Sequence, residues 1–109
     1  MSKYNSIKAT IDGITFDSRK EANYYCELKM LRMAGVVKDF DMHVPFTLLD
    51  GYKRKGKAVR GIKYYADFVV TYADGHKEVV DVKGVRTDVY KLKKKLLLAK
   101  YPEIDFREV

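Results

Sequence analysis

Two aspartates and a lysine stand close together in the second half of the chain. Asp67 lies in a run of β-forming residues that starts at Ile62, and Asp81-Val82-Lys83 lies in the next such run, past a short turn. Carboxylates suit a hard divalent cation such as Mg²⁺, which takes oxygen ligands and keeps positions for waters and substrate oxygens. A cation held this way can bind a phosphate oxygen and help generate hydroxide from water. A neighbouring ammonium can orient the nucleophile or offset the charge that grows on the phosphate. The chemistry these residues suit is phosphodiester hydrolysis. A D-x-K triplet by itself is weak, because 34% of the chain is charged and such triplets arise by accident. Its setting on adjacent apolar strands gives it weight.

Side chains on a strand alternate with period two, so Asp81 and Lys83 share a face. Whether Asp67 joins them depends on the turn. A two-residue loop at Asp74-Gly75 would pair Asp67 with Val82 and turn the aspartates away from each other. A three-residue loop, Ala73-Asp74-Gly75, pairs Tyr72 with His76 and sets Asp67 opposite Asp81. A type I turn followed by a left-handed Gly75 makes a common bulged hairpin, so the second register is expected. Facing carboxylates repel unless a cation or a lysine lies between them. The competing reading leaves both aspartates in water near strand ends, with Lys83 as an ion-pair partner.

The elements that would carry this set are legible in outline. Ile7, Ala9 and Ile11 alternate, Asp12-Gly13 offers a two-residue turn, and Ile14-Thr15-Phe16 leads away as a hairpin. Ser18 can cap a helix that ends near Gly35, with Glu21 three residues after the cap. At helical spacing Glu21, Tyr24, Tyr25, Leu28 and Leu31 fall on one stripe, which places a carboxylate at the mouth of an apolar face. Glu21 is thus a candidate metal ligand, in competition with a capping-box role for the same side chain. Val44, Phe46 and Leu48 alternate around Pro45, which argues for an edge strand. Residues 50–61 read as a mobile basic loop. Apolar residues on both faces mark the strands on either side of Gly75 as central. A helix from about Thr87 to Lys100 is expected to bury Val89, Leu92, Leu96 and Ala99, with Lys91, Lys94 and Lys95 outward. A last edge strand carries Ile104, Phe106 and Val109. The order is helix, three strands, helix, strand: an α/β layered domain spanning residues 1–109.

The 22 Lys and Arg against 15 acids give a net charge of +7. That excess suits a polyanionic partner, since phosphate contacts release condensed counterions. Lys53, Arg54, Lys55, Lys57 and Arg60 in the loop, and Lys93 and Lys94 on the second helix, are the candidates to track a phosphate backbone. The single cysteine, Cys26, excludes an internal disulfide and a multi-cysteine zinc site. The start of the chain lacks the apolar run of a signal peptide, and no apolar stretch is long enough to cross a bilayer. A soluble, intracellular protein without a membrane partner is expected. His43 and His76 lack metal-ligand spacing. Tyr64, Tyr65 and Tyr72 could stack on unpaired bases, but strand and core roles are expected of them.

The segment YYADFVVTYADGHKEVVDVKG, with the helix that begins SRKEANYYCEL and the later DVYKLKKKLLLAKYP, resembles the PD-(D/E)XK nuclease superfamily. More narrowly, it resembles small phage and prophage proteins of that type, over roughly Phe16 to Val109. The resemblance implies a restriction-endonuclease-like αβββαβ core, a central mixed sheet flanked by helices. It matches Asp67 and Asp81 to the motif acids, Lys83 to the lysine and Glu21 to a helix-one glutamate. It implies Mg²⁺, with Mn²⁺ able to substitute, held by Asp67, Asp81, Glu21 and the Val82 backbone carbonyl. It further implies a DNA endonuclease acting on branched or recombination intermediates, in the cytoplasm of a bacterial host. A symmetric homodimer would suit that task. One departure is plain: Ala66 stands where the name-giving proline would be. Two other functions remain open, a binding module that keeps the fold without cutting and a phage interaction factor.

Overall fold

The computed structural model describes residues 8–82 and 86–109. The expectations for Ile7, Lys83 and Gly84 lie outside the described residues. Strands β1 (Ala9–Ile11) and β2 (Ile14–Phe16) form the first hairpin, with both turn residues, Asp12 and Gly13, in the left-handed region. This is the geometry that a two-residue Asp-Gly turn supplies most readily. Helix α1 (Arg19–Met33) follows. The Ser18 hydroxyl accepts from the Glu21 amide at 3.1 Å, and Gly35 takes φ +81° just beyond the last turn. The hairpin is tied down on α1 through Asp12, which accepts from the Tyr25 hydroxyl at 2.8 Å and pairs with Lys29.

Strand β3 (Val37–Leu49) is followed by β4 (Tyr52–Arg54), β5 (Lys57–Val59), β6 (Ile62–Tyr72), β7 (Lys77–Asp81), helix α2 (Asp88–Lys100) and β8 (Asp105–Glu108). The main sheet has the order β3-β6-β7-β8; its first two pairings are antiparallel and the last is parallel. The protein is therefore mixed α/β, with a mixed sheet between two helices' worth of packing. β3 sits at an edge, which accommodates the missing amide of Pro45. β6 and β7 are central, in accord with their apolar residues.

The β6–β7 register is the one that Ala73-Asp74-Gly75 was expected to set. Phe68 faces Val80, Val69 faces Val79 and Val70 faces Glu78. The Tyr72 amide donates to the His76 carbonyl at 2.9 Å, and Gly75 takes φ +95°. The ladder's last pair is Phe68–Val80, and just beyond it the Val82 amide donates to Asp67 Oδ2 at 2.7 Å, which brings Asp67 to the end of β7.

Tyr64, Ala66, Phe68 and Val70 of β6 are buried, yet they serve two cores. Phe68 and Val70 join α1's Ala22, Tyr24, Tyr25 and Leu28, whereas Tyr64 and Ala66 join Val79 and α2's Tyr90 and Leu97. The change falls at Asp67. Opposite it on β3, between the pairs Met42–Phe68 and Val44–Ala66, lies His43 with a left-handed backbone, φ +53°.

Two expectations are corrected. Residues 50–61 are not a mobile loop but a two-stranded hairpin, β4–β5, turned by Lys55 and Gly56 at φ +49° and +79°. Its base is narrow: a Cβ on Gly61 would come within 2.5 Å of the Leu49 carbonyl oxygen. Charge had masked the alternation of Tyr52, Lys53 and Arg54 against Lys57, Ala58 and Val59. The buried face of α2 is also displaced. Tyr90 and Leu97 are buried, while Val89, Leu92, Leu96 and Ala99 are exposed, and Lys94 is half-buried rather than outward. The reason is a set of polar anchors on β8. Glu108 accepts from the Tyr90 hydroxyl at 2.5 Å and pairs with Lys94 at 3.5 Å, whose ammonium lies over the Phe106 ring. A lysine stem can cover apolar surface while its head stays paired, and that rotates the helix away from its leucines.

Nothing lies within 4 Å of a Cβ placed on Gly75, so a substitution there meets only backbone strain. Gly75→Val should cost about 1–2 kcal/mol in urea unfolding. Gly75→Asn should cost clearly less, because Asn tolerates the left-handed region. Equal losses for the two variants would mean that the turn is not what sets the register.

Candidate metal centre

Glu21 reaches the sheet because the cap at Ser18 starts the helix three residues earlier and the helical stripe turns its side chain inward. It is 6% exposed, unusual for a carboxylate. Its backbone amide serves the cap by donating to Ser18 Oγ, which is one half of a capping box. Glu21 Oε1 stands 3.9 Å from His43 Nε2. One ligand atom each from Glu21, His43 and Asp67 lies within 4.8 Å of the other two.

Asp67 and Asp81 meet from neighbouring strands. The Val82 amide, just past the last residue of β7, donates to Asp67 Oδ2 at 2.7 Å, which pulls the Asp67 carboxylate across toward β7. Asp81 is 1% exposed and accepts from the Tyr64 hydroxyl. Burial raises the Tyr64 hydroxyl well above the usual tyrosine range, and its bond to Asp81 raises it further, so it remains a donor. Burial also lifts Asp67, to about 7; the Val82 amide opposes this, while the charges of Asp81 and Glu21 and a hydrogen bond with Asp81 add to it. Like charges in one place, away from water, disfavour ionisation of one member. Of the residues expected at the site, Glu21, Asp67 and Asp81 are gathered here, and Val82 joins them through its amide, whereas its carbonyl was the expected ligand; Lys83 lies outside the described residues.

His43 is the residue that sequence reasoning missed. It was set aside because no second histidine or cysteine stood at ligand spacing. Pairing across β3 and β6 brings it to Asp67, a contact between segments far apart in the sequence. The donors then comprise carboxylate oxygens and one imidazole nitrogen. This mixture fits Mg²⁺ through the oxygens and Mn²⁺ better, since imidazole favours transition metals.

The expected phosphate contacts divide into two groups. Lys53, Arg54, Lys55 and Lys57 are exposed on the β4–β5 hairpin, and Arg60 is exposed at its base. Lys93 and Lys94 are half-buried against the sheet, and Lys94 is held by Glu108 and Phe106. The hairpin is the freer of the two basic surfaces. Among the described residues, no helix is long and apolar enough to cross a membrane.

Fold and site together define a small basic α/β protein whose central sheet carries a buried carboxylate cluster beside an imidazole. The chain belongs to the family described as "Protein of unknown function (DUF1064)", whose model matches residues 1–109. No curated protein and no solved structure matches it.

The raised Asp67 has a consequence for stability. Between the unfolded value of 3.8 and about 7, the folded state holds a proton that the unfolded state has lost. Stability must therefore fall as pH rises through that window. Asp67→Asn should abolish most of this fall, leaving the metal-free variant more stable than wild type at pH 8 and similar to it at pH 4. Thermal midpoints across that range test this; parallel curves for the two proteins would rule it out.

Proposed function

We propose that this protein is a metal-dependent nuclease of the PD-(D/E)XK type, with a restriction-endonuclease-like core, that hydrolyses phosphodiester bonds in DNA. The observation that carries the proposal is the meeting of Asp67 with Asp81 just past the Phe68–Val80 pair, beside Glu21 from the first helix. The αβββαβ order with its mixed sheet supports the finer fold assignment, as does the position of the acids on the two central strands.

In this reading Glu21 and Asp67 hold a divalent cation, with His43 as a further donor and Asp81 adjoining. When bound, the cation supplies Lewis acidity toward a phosphate oxygen and lowers the pKa of water. The chain's own residues do the rest. Tyr64 orients Asp81 by donating to it, and the Val82 amide fixes the Asp67 carboxylate. Lys83, two residues beyond Asp81, would offset charge on the phosphate. The hairpin cations hold the backbone of the substrate without reading its sequence.

Plasmid and branched DNA incubated with Mg²⁺ or Mn²⁺ should be cut by the wild type and not by Asp81→Ala, while gel-shift affinity in EDTA is kept. Cleavage that survives Asp81→Ala would discard the site. Tight binding without cleavage of any substrate would replace the enzyme by a binding module on the same fold. The hairpin has its own test. Replacing Lys53, Arg54 and Lys55 by Ala should reduce the slope of log affinity against log salt by about 2–3. An unchanged slope would show that β4–β5 does not touch phosphates.

A further inference from the structure

A groove of about 450 Å³ opens where the β4–β5 hairpin leaves the main sheet, walled by Thr47, Asp50, Arg60, Lys63 and Tyr65. Tyr65 differs from the other tyrosines on its strand. Tyr64 is buried and donates to Asp81; Tyr72 donates to Glu78 and stacks on His76. Tyr65 is 57% exposed and faces the groove. Tyr65 lies two residues before Asp67 on β6, about 7 Å along the strand. The groove and the carboxylate site are thus neighbours along β6, although none of the carboxylates lines the groove.

We propose that this groove is a subsite for an unpaired nucleotide of the DNA strand whose neighbouring phosphate sits at Asp67. The inference rests on the nuclease reading and adds the class of substrate to it. A flat exposed ring is a stacking platform for any base, and such stacking needs a base whose face is not already covered by its duplex neighbours. Arg60 and Lys63 offer the cations for the adjoining phosphate. Asp50, the acidic member of the wall, can accept from an exocyclic amine but would repel a phosphate, which orients the nucleotide with its base toward Asp50. The narrow crossing at Gly61 holds the hairpin wall in place, so the platform exists before the ligand arrives. Junctions, forks and tails present unpaired nucleotides beside a duplex; a fully paired duplex does not.

The test uses the full chain in EDTA, which separates binding from cutting. The probes are a duplex with a single-stranded tail carrying 2-aminopurine and a fully paired duplex of equal length. Wild type should quench the tail's fluorescence and bind the tailed probe more tightly. Tyr65→Ala should lose the quench and about tenfold or more in affinity for the tailed probe, with little change for the paired one. Tyr65→Phe, which keeps the ring, should retain both. Tyr65 is exposed, so unchanged thermal midpoints are expected for the variants and confirm their folding. Full quenching by Tyr65→Ala, or an equal loss on the paired duplex, would overturn the subsite. The two readings separate cleanly. Tyr65-dependent stacking in a protein that cuts nothing keeps the subsite and removes the nuclease. Metal-dependent cleavage with no preference for unpaired nucleotides keeps the nuclease and removes the subsite.

Discussion

The turn Ala73-Asp74-Gly75 constrains more of this molecule than any other three residues, because strand side chains alternate and a register error of one inverts every face. With Gly75 in the left-handed region, the loop has an odd number of residues and the ladder runs to Phe68–Val80, next to which Asp67 and Asp81 meet. The same register puts Val80 beneath α1 and Val79 beneath α2. Core and carboxylate cluster are thus consequences of one backbone choice. A register shifted by one would bury the cluster's neighbours in the wrong layer as well as separate the acids.

A cluster of this kind is held against its own repulsion. Tyr64 donates to Asp81, the Val82 amide donates to Asp67, and Asp67 meets the remaining repulsion with a raised pKa. These partners come from β6, from β7 and from Val82 just past its end, in the middle of the sheet, where neighbours on both sides limit movement. Glu21 arrives from α1, whose inner face is otherwise Ala22, Tyr24, Tyr25 and Leu28. A rigid apolar scaffold surrounds a small polar centre. Such a centre gains most from a cation, since the electrostatic cost of the site is already present in the fold.

The surface divides by how its charges are engaged. Glu108 draws Tyr90, Lys94 and Arg86 together at the β8 edge, so part of the basic excess of α2 serves to seat the helix. The β4–β5 hairpin bears its cations in the open. Between that hairpin and the carboxylates lies the groove containing Tyr65. The basic hairpin, Tyr65 and Asp67 follow one another in chain order.

Apart from the β4–β5 hairpin, the element order was legible from local chemistry alone. Ser18 and Gly35 bracket α1, Asp12-Gly13 turns the first hairpin, Pro45 places β3 at an edge, and Gly75 sets the β6–β7 register. Each of these is a backbone preference that a short segment expresses without help. The positions of His43, Tyr65 and the α2 face were not legible, because they depend on contacts between distant segments. His43 joins Glu21 and Asp67 only through the pairing of β3 with β6. Tyr65 looks like its neighbours Tyr64 and Tyr72 until the sheet buries two of the three more deeply and leaves it open. The leucines of α2 have the spacing of a buried stripe, yet Tyr90 and Lys94 engage β8 and turn that stripe outward. Local propensity determined the strands, helices and turns; the competition among side chains for partners across the fold decided which of their residues meet.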